Sequence, residues 1–282
     1  MPTLKQYILL ILSGLLIITF LILPPDTNTS PGIKAEDPPP QIPEPPPVTR
    51  ETRVLMPGTI METTLHIITA PEEGPTVMFI GGVHGDEIAG WMAAEKLTGW
   101  SVDRGKLLVL PRANAFAVTT NTHYYPGMDN LNVSFPGSAN GNVTQRLAAA
   151  IYAVMEEFKP QWVVDFHEAL EFDRIKEGEL GQTLIYPWEG SSMEVIDRII
   201  DGLNENIEEE LYRYRVQRGG IKGGTIYASR LLGLESFTIE TTRKLPLERR
   251  ISEHLQAARL LLEIMEIDVI AEEPEAGTAG NS

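Results

Sequence analysis

Along the middle of the chain, short apolar runs alternate with longer stretches whose apolar residues recur at helical spacing. Val54 to Thr69 reads as one or two strands joined near Pro57-Gly58. Val77 to Gly82 reads as a buried strand, followed by a helix from Glu87 to about Leu97 in which Ile88, Trp91, Met92 and Leu97 share a stripe. Lys106 to Pro111 is the next strand, and Asn142 to Phe158 a strong helix. Trp162 to Phe166 reads as a central strand, followed by a strand at Thr183 to Tyr186 and a helix from about Ser191 to Leu211. A strand at Ser236 to Glu240 precedes a last helix starting near Pro246, a residue suited to a first helical turn. Strands separated by helices predict an α/β fold with a mainly parallel, mixed central sheet and helices on both faces. Ala113 to Gly141, rich in Asn, Gly, Pro and Tyr, predicts a long functional loop.

Both ends break this rhythm. Tyr7 to Leu23 is a nearly unbroken apolar run which, at about 1.5 Å per residue, reaches the lower limit for crossing a bilayer. Lys5 on the short side predicts a cytoplasmic segment at residues 1–6 and an exported body. Leu21-Ile22-Leu23-Pro24-Pro25 offers no small-residue cleavage pattern, which favours an uncleaved signal anchor at 7–23 over a removable signal peptide. A buried core helix is the other alternative, and it suits neither the absence of an amphipathic face nor the Pro-rich exit. Residues 24–50, with Pro38-Pro39-Pro40 and Pro43-Glu44-Pro45-Pro46-Pro47, read as an extended, semi-rigid linker. The acidic, small-residue stretch 271–282 reads as a disordered tail. Residues 51–270 remain for one α/β domain with a full core.

Composition narrows the chemistry. The chain has no cysteine, which excludes disulfides, thiolate metal sites and a cysteine nucleophile. A formal charge of −16 argues against nucleic acid as a partner and fits ordinary solubility.

Three apolar runs end at residues able to hold or serve a zinc ion. Val77 to Val83 leads into His84-Gly85-Asp86-Glu87, Trp162 to Phe166 into His167, and Ser236 to Ile239 into Glu240. In open α/β sheets, ligands gather beyond the carboxyl ends of strands. Zinc here must use nitrogen and oxygen donors, and a catalytic site takes three protein ligands with a position left open. His84 and Glu87, spaced i and i+3 where Gly81-Gly82 turns into a helix, can point at one spot, and His167 arrives from a distant strand. The expectation is one Zn2+ per chain on His84, Glu87 and His167. Glu240 is the candidate general base. Asp165 shares a strand face with His167, so it either orients that ligand or bonds a neighbouring loop. His66 is expected to face solvent and His254 to lie on the surface of the last helix. His123, beside Tyr124 and Tyr125, is a candidate for substrate contact.

Five segments in order resemble one family. Gly81-Gly82-Val83-His84-Gly85-Asp86-Glu87 is similar to the first metal motif of the succinylglutamate desuccinylase and aspartoacylase branch of the zinc carboxypeptidase superfamily. Pro111 to Ala117 resembles the segment after the next strand, and Leu131-Asn132-Val133-Ser134-Phe135-Pro136-Gly137 that family's Leu-Asn-Arg-x-Phe-Pro-Gly stretch. Val164 to His167 resembles the third-ligand strand, and Phe237 to Glu240 the strand of the catalytic glutamate. The resemblance spans about residues 74–243. It implies a zinc-carboxypeptidase-like fold, zinc on His84, Glu87 and His167, and Glu240 promoting zinc-held water. The reaction implied is hydrolysis of an amide beside a carboxylate, in a small-molecule or peptide substrate.

Val133 departs from the pattern. Arginine at that position grips a substrate carboxylate through paired charge-assisted bonds that valine cannot make. Either another residue supplies the clamp, or the substrate differs, or catalysis has been lost. Arg112, Arg146 and Arg243 are candidate replacements, each also readable as a surface arginine, with Asn132 on the substrate side. The family's upstream arginine, which polarises the scissile carbonyl, has no match; Tyr125 lies near its register. The leading expectation is a membrane-tethered, extracytoplasmic zinc amidohydrolase acting on an N-acyl amino acid or a cell-wall peptide. The competing one is a zinc-binding module without catalysis.

Overall fold

Val77 to Gly81 and Trp162 to Phe166 are buried on both faces, the mark of strands at the middle of a sheet covered on two sides. The computed structural model describes residues 47–187 and 192–272, so the expected anchor at 7–23, most of the linker and the tail beyond 272 lie outside the described residues. In chain order the elements are β1 (Thr49–Leu55), β2 (Thr63–Thr69), β3 (Glu72–Gly81), α1 (Ile88–Leu97), β4 (Trp100–Val102) and β5 (Arg104–Leu110). Next come α2 (Ala115–Thr120), a 3-10 turn at Leu131–Val133, α3 (Val143–Phe158), β6 (Trp162–Ala169), β7 (Thr183–Tyr186) and α4 (Met193–Asn204). A second 3-10 turn at Glu210–Tyr212, then β8 (Arg215–Arg218), α5 (Thr225–Leu231), β9 (Glu235–Thr242), α6 (Leu247–Ile264) and β10 (Val269–Glu272) complete the order.

Eight strands form one mixed sheet in the order β1-β2-β5-β3-β6-β9-β7-β8, and β10 pairs with β4 in a small second sheet. The centre, β5-β3-β6-β9, is parallel, while the β1-β2 hairpin and the β9–β7 pair are antiparallel. Alternation along β3 sends Val77 and Phe79 into a cluster with Ala93 and Leu97 of α1 and Leu261 of α6. Met78 and Ile80 join Leu147, Ile151 and Met155 of α3 on the other face. Each such fully buried side chain contributes about 1.5–3 kcal/mol. α3 starts sharply because Asn142 and Gln145 form a reciprocal capping box.

This layering creates the site's location. The crossover from β3 to β5 runs through α1 on one face, and that from β5 to β6 through α3 on the other. The chain therefore leaves β3 and reaches β6 on opposite sides, opening a crevice beyond their carboxyl ends.

Several boundaries differ from the sequence reading. Thr49 and Arg50 belong to β1, and Ala271 and Glu272 to β10, where they pair with Ser101 and Trp100. The stretch 113–141 carries α2 and a 3-10 turn. The helix expected to reach Leu211 stops at Asn204, whose side chain accepts from Tyr214 N at 2.7 Å and donates to Tyr214 O at 2.9 Å, turning the chain into β8. Pro246 stands at the N-cap of α6, just outside its first turn. Among the described residues, no helix is long and apolar enough to cross a membrane.

Candidate active site

β3 ends at Gly81, and Gly82 takes φ +67°, a conformation glycine adopts without strain. Ala113 N and Asn114 N donate to the carbonyls of Gly81 and Gly82, each at 2.9 Å, which fixes the turn that delivers His84. Glu87 occupies the N-cap of α1. Gly90, one turn on, lies so near β6 that a Cβ there would meet the Phe166 carbonyl oxygen at 2.5 Å. That close approach brings Glu87 to the end of β6, which runs on through His167.

The three expected ligands meet. One donor atom from each of His84, Glu87 and His167 lies within 4.8 Å of the other two. His84 Nδ1 stands 2.7 Å from Glu87 Oε1 and His167 Nδ1 2.8 Å from Glu87 Oε2. The outer nitrogens are held from behind, His84 Nε2 by Asn130 Oδ1 at 3.2 Å and His167 Nε2 by Asp165 Oδ2 at 2.9 Å. Asp165 Oδ2 also accepts from Thr225 Oγ1 at 2.6 Å, so this residue makes both of the expected bonds, one to the His167 ring and one to a neighbouring segment. Two imidazoles and a carboxylate, buried and oriented by partners behind them, fit a zinc ion.

The electrostatics agree. Burial pushes the Glu87 carboxyl up, but His167 and His84 outweigh it and hold the group well below the usual carboxylate range. Burial depresses His167, yet Asp165 and Glu87 raise it well above an ordinary histidine. The cluster thus draws positive charge into a dry pocket, as a cation site must.

Glu240 stands directly beside His167 in register between β9 and β6. Burial, opposed by His167 and reinforced by the Glu87, Asp165 and Glu168 carboxylates, pushes its pKa up to about 8. It lines a cavity of about 230 Å³ together with Asn132, Thr225, Thr238, Gln217 and Arg218. Asn132 reaches this cavity because the turn that carries it is tied to the chain before α5, Phe135 N donating to Gly223 O at 2.8 Å. Thr225, Gln217 and Arg218 escaped the sequence reading, since β8 and α5 are short and lack a strong apolar period.

The other candidates separate. Arg112 is bonded to Glu95 and stacked over Trp91 at 5.0 Å, outside the cavity lining. Arg146 is exposed and donates to Gly141 O at 3.5 Å. Arg243 does approach the centre, both terminal nitrogens standing 3.1 Å from Asp86 Oδ2. Tyr125 leans on Phe116 with ring centroids 4.6 Å apart. His123, two residues earlier, is the ring that reaches the cluster: it stacks on His84 at 3.6 Å and bonds Asp86 Oδ1 at 3.1 Å. Asp86, Glu87 and His123 also come together, but Arg243 already supplies the cation beside Asp86.

Two histidine expectations are corrected. His66 is half-buried in β2 between β1 and β5, and burial lowers its pKa. His254 is fully buried, with its ring 4.9 Å from Phe166 and Nε2 3.3 Å from Thr241 Oγ1. Burial and the neighbouring His167 bring its pKa down to about 3. The same Thr241 hydroxyl stands 3.4 Å from a buried carboxylate unseen in the sequence, Glu168. That carboxylate accepts from Ala89 N at 2.9 Å and from Arg250 of α6, while Glu168 N donates to Glu87 Oε2 at 3.1 Å.

Comparison with known proteins places this geometry. A family model, the succinylglutamate desuccinylase/aspartoacylase catalytic domain, matches residues 73–264. A curated relative, the N-alpha-acetyl-L-2,4-diaminobutyric acid deacetylase of Halomonas elongata, is 42% identical over 81 residues, 27% of this chain and 23% of that protein. Helicobacter pylori Csd4, a D,L-carboxypeptidase solved in an mDAP-bound form, superimposes with a TM-score of 0.63 at 18% identity, covering 71% of this chain and 54% of Csd4. A succinylglutamate desuccinylase/aspartoacylase from Rhodobacter sphaeroides gives 0.57 at 18% identity, with 78% and 63% covered. The chain thus spans under a quarter of the curated relative and just over half of Csd4, and the structural likenesses establish the fold.

Proposed function

The chain belongs to the succinylglutamate desuccinylase/aspartoacylase family, and from that premise we propose that it is a zinc-dependent hydrolase of an amide bond beside a carboxylate. The observation that carries this reading is the convergence of His84, Glu87 and His167 with Glu240 alongside, at the mouth of a cavity. When bound, zinc supplies a Lewis acid for the scissile carbonyl and acidifies water. Every other function falls to the chain itself. Glu87 holds two imidazoles in place, and Asp165 fixes the orientation of the His167 ring. Glu240 takes a proton from the attacking water as the carbon–oxygen bond forms. It then delivers that proton to the leaving nitrogen as the carbon–nitrogen bond breaks. Its raised pKa suits the delivery of that proton.

The substrate we favour is an N-acyl amino acid or a cell-wall peptide. The deacetylase relative supports the first, and the likeness to a D,L-carboxypeptidase supports the second. We further propose a single-pass membrane tether at 7–23 with the domain outside the cytoplasmic membrane, on the strength of the apolar run, Lys5 and the Pro-rich spacer. Removal of residues 1–46, which leaves β1 whole, should release the protein from the membrane fraction.

Incubation of the zinc-loaded protein with a panel of N-acyl amino acids and short peptides tests the activity. Hydrolysis that ceases on chelation and returns with zinc supports it. Val133, exposed where the family carries arginine, favours one alternative, a zinc-binding module without catalysis. Retained zinc with silence across the whole panel would select that alternative.

A further inference from the structure

With valine at position 133, the cavity beside Glu240 needs a cation from elsewhere. A substrate carboxylate entering this cavity of about 230 Å³ gives up its hydration and needs a charged or hydrogen-bonding partner in exchange. The three arginines singled out from the sequence do not line this cavity: Arg112 turns to Glu95, Arg146 to Gly141, and Arg243 to Asp86. Among the described residues that do line it, Arg218 is the one with a cationic side chain.

Arg218 is the last residue of β8, in parallel register opposite Tyr186 of β7, and Gly219 N donates to Tyr186 O at 3.1 Å. The strand end is thereby fixed, while the Arg218 and Gln217 side chains stay exposed at the cavity rim. A second cavity, of about 240 Å³, shares Arg218, Gly220 and Ile226 with the first and continues to Tyr227 and Arg230. Arg218 therefore stands at the junction of the space beside Glu240 and the space beyond it.

We propose that Arg218, assisted by the Asn132 and Gln217 amides, is the substrate-carboxylate clamp of this chain, moved from the Leu131–Val133 turn to the end of β8. The guanidinium fork matches a carboxylate with two parallel bonds, a geometry that lysine does not reproduce. The ligand class is an acylated amino acid or peptide with a free carboxylate beside the scissile amide. The adjoining cavity gives its side chain room to extend. This inference rests on the amide-hydrolase reading above.

The test uses zinc-loaded full-length protein with Arg218→Ala and Arg218→Lys variants, all checked for equal zinc content. Each is assayed on N-acetyl amino acids and short peptides, offered both as free acids and as C-terminal primary amides. The wild type should prefer the acids, and Arg218→Ala should erode that preference roughly 10- to 100-fold, chiefly through KM. Arg218→Lys should keep part of it. Acids and amides affected alike, or a preference untouched in Arg218→Ala, overturns the proposal.

Calorimetry with succinate separates failure of the clamp from failure of the hydrolase reading. A wild type that hydrolyses nothing yet binds succinate more tightly than Arg218→Ala keeps the clamp and ends the hydrolase reading. A wild type that hydrolyses nothing and binds succinate no better than Arg218→Ala, or not at all, ends the clamp.

Discussion

On the β3–β6 side of the candidate site, His84, Glu87 and His167 are 5%, 4% and 2% exposed, and every ring nitrogen and carboxylate oxygen among them has a partner. On the opposite side, Val133, Gln217 and Arg218 are all exposed, on a 3-10 turn and a four-residue edge strand. The first wall brings together the residues expected from the sequence to hold a metal; the second carries Val133, the position that departs from the expected motif. The contrast assigns different tasks to the two walls. Metal geometry tolerates little displacement, so it is built from buried strands and a helix start. On the reading proposed above, substrate choice falls to short elements that can change without disturbing those strands.

The sharpest way to break this division is Glu240→Gln. It should lower hydrolysis about 10²- to 10⁴-fold while the zinc content, read by elemental analysis, stays at the wild-type level. Zinc lost together with activity would show that Glu240 is part of the metal wall. Asp165→Asn acts one step behind the ligands and should weaken zinc binding roughly 10- to 100-fold in a chelator competition. An unchanged affinity would make the bond from Asp165 to His167 incidental.

His254 extends the comparison to pH. Its folded pKa lies near 3, below the ordinary 6.5, so the unfolded chain binds the extra proton between those values. Stability should therefore be fully present above pH 6.5 and fall by roughly 1.4 kcal/mol per pH unit on acidification towards pH 3. Denaturant unfolding should show a shallower acid limb in His254→Gln. An unaltered limb would mean that His254 is not the proton acceptor on unfolding. The smallest effects belong to Arg112→Ala and Arg146→Ala, whose exposed contacts should cost less than about 1 kcal/mol of stability. A large rise in KM from either would place that residue in the cavity after all.

The buried side of the site was legible in the sequence because buried strands announce themselves as unbroken apolar runs, and each ended at a residue of the candidate site. His84, Glu87, His167 and Glu240 share that signal. The substrate wall carried none: Arg215-Val216-Gln217-Arg218 has one apolar residue, and α5 is a seven-residue helix between glycines and Leu232. Asn204, whose side chain turns α4 towards β8, is a polar residue inside an otherwise helical pattern, so the helix reads as longer than it is. The boundary at Ala271 is hidden for a related reason, since β10 is largely exposed and polar at its end. His254 was misplaced despite a usable clue. It lies three residues after Ile251 and four before Ala258, within the stripe that continues to Leu261 and Leu262.

Glu87 sits where α1 begins, yet its carboxylate faces the two imidazoles and caps none of its own helix's amides. Glu168, near the end of β6, accepts from Ala89 N in its stead and is anchored in turn by Arg250. One acidic residue has been released for chemistry because another took over its architectural duty. A chain that lost Glu168 would keep His84, Glu87 and His167 and still begin to unravel at the spot from which Glu87 is aimed.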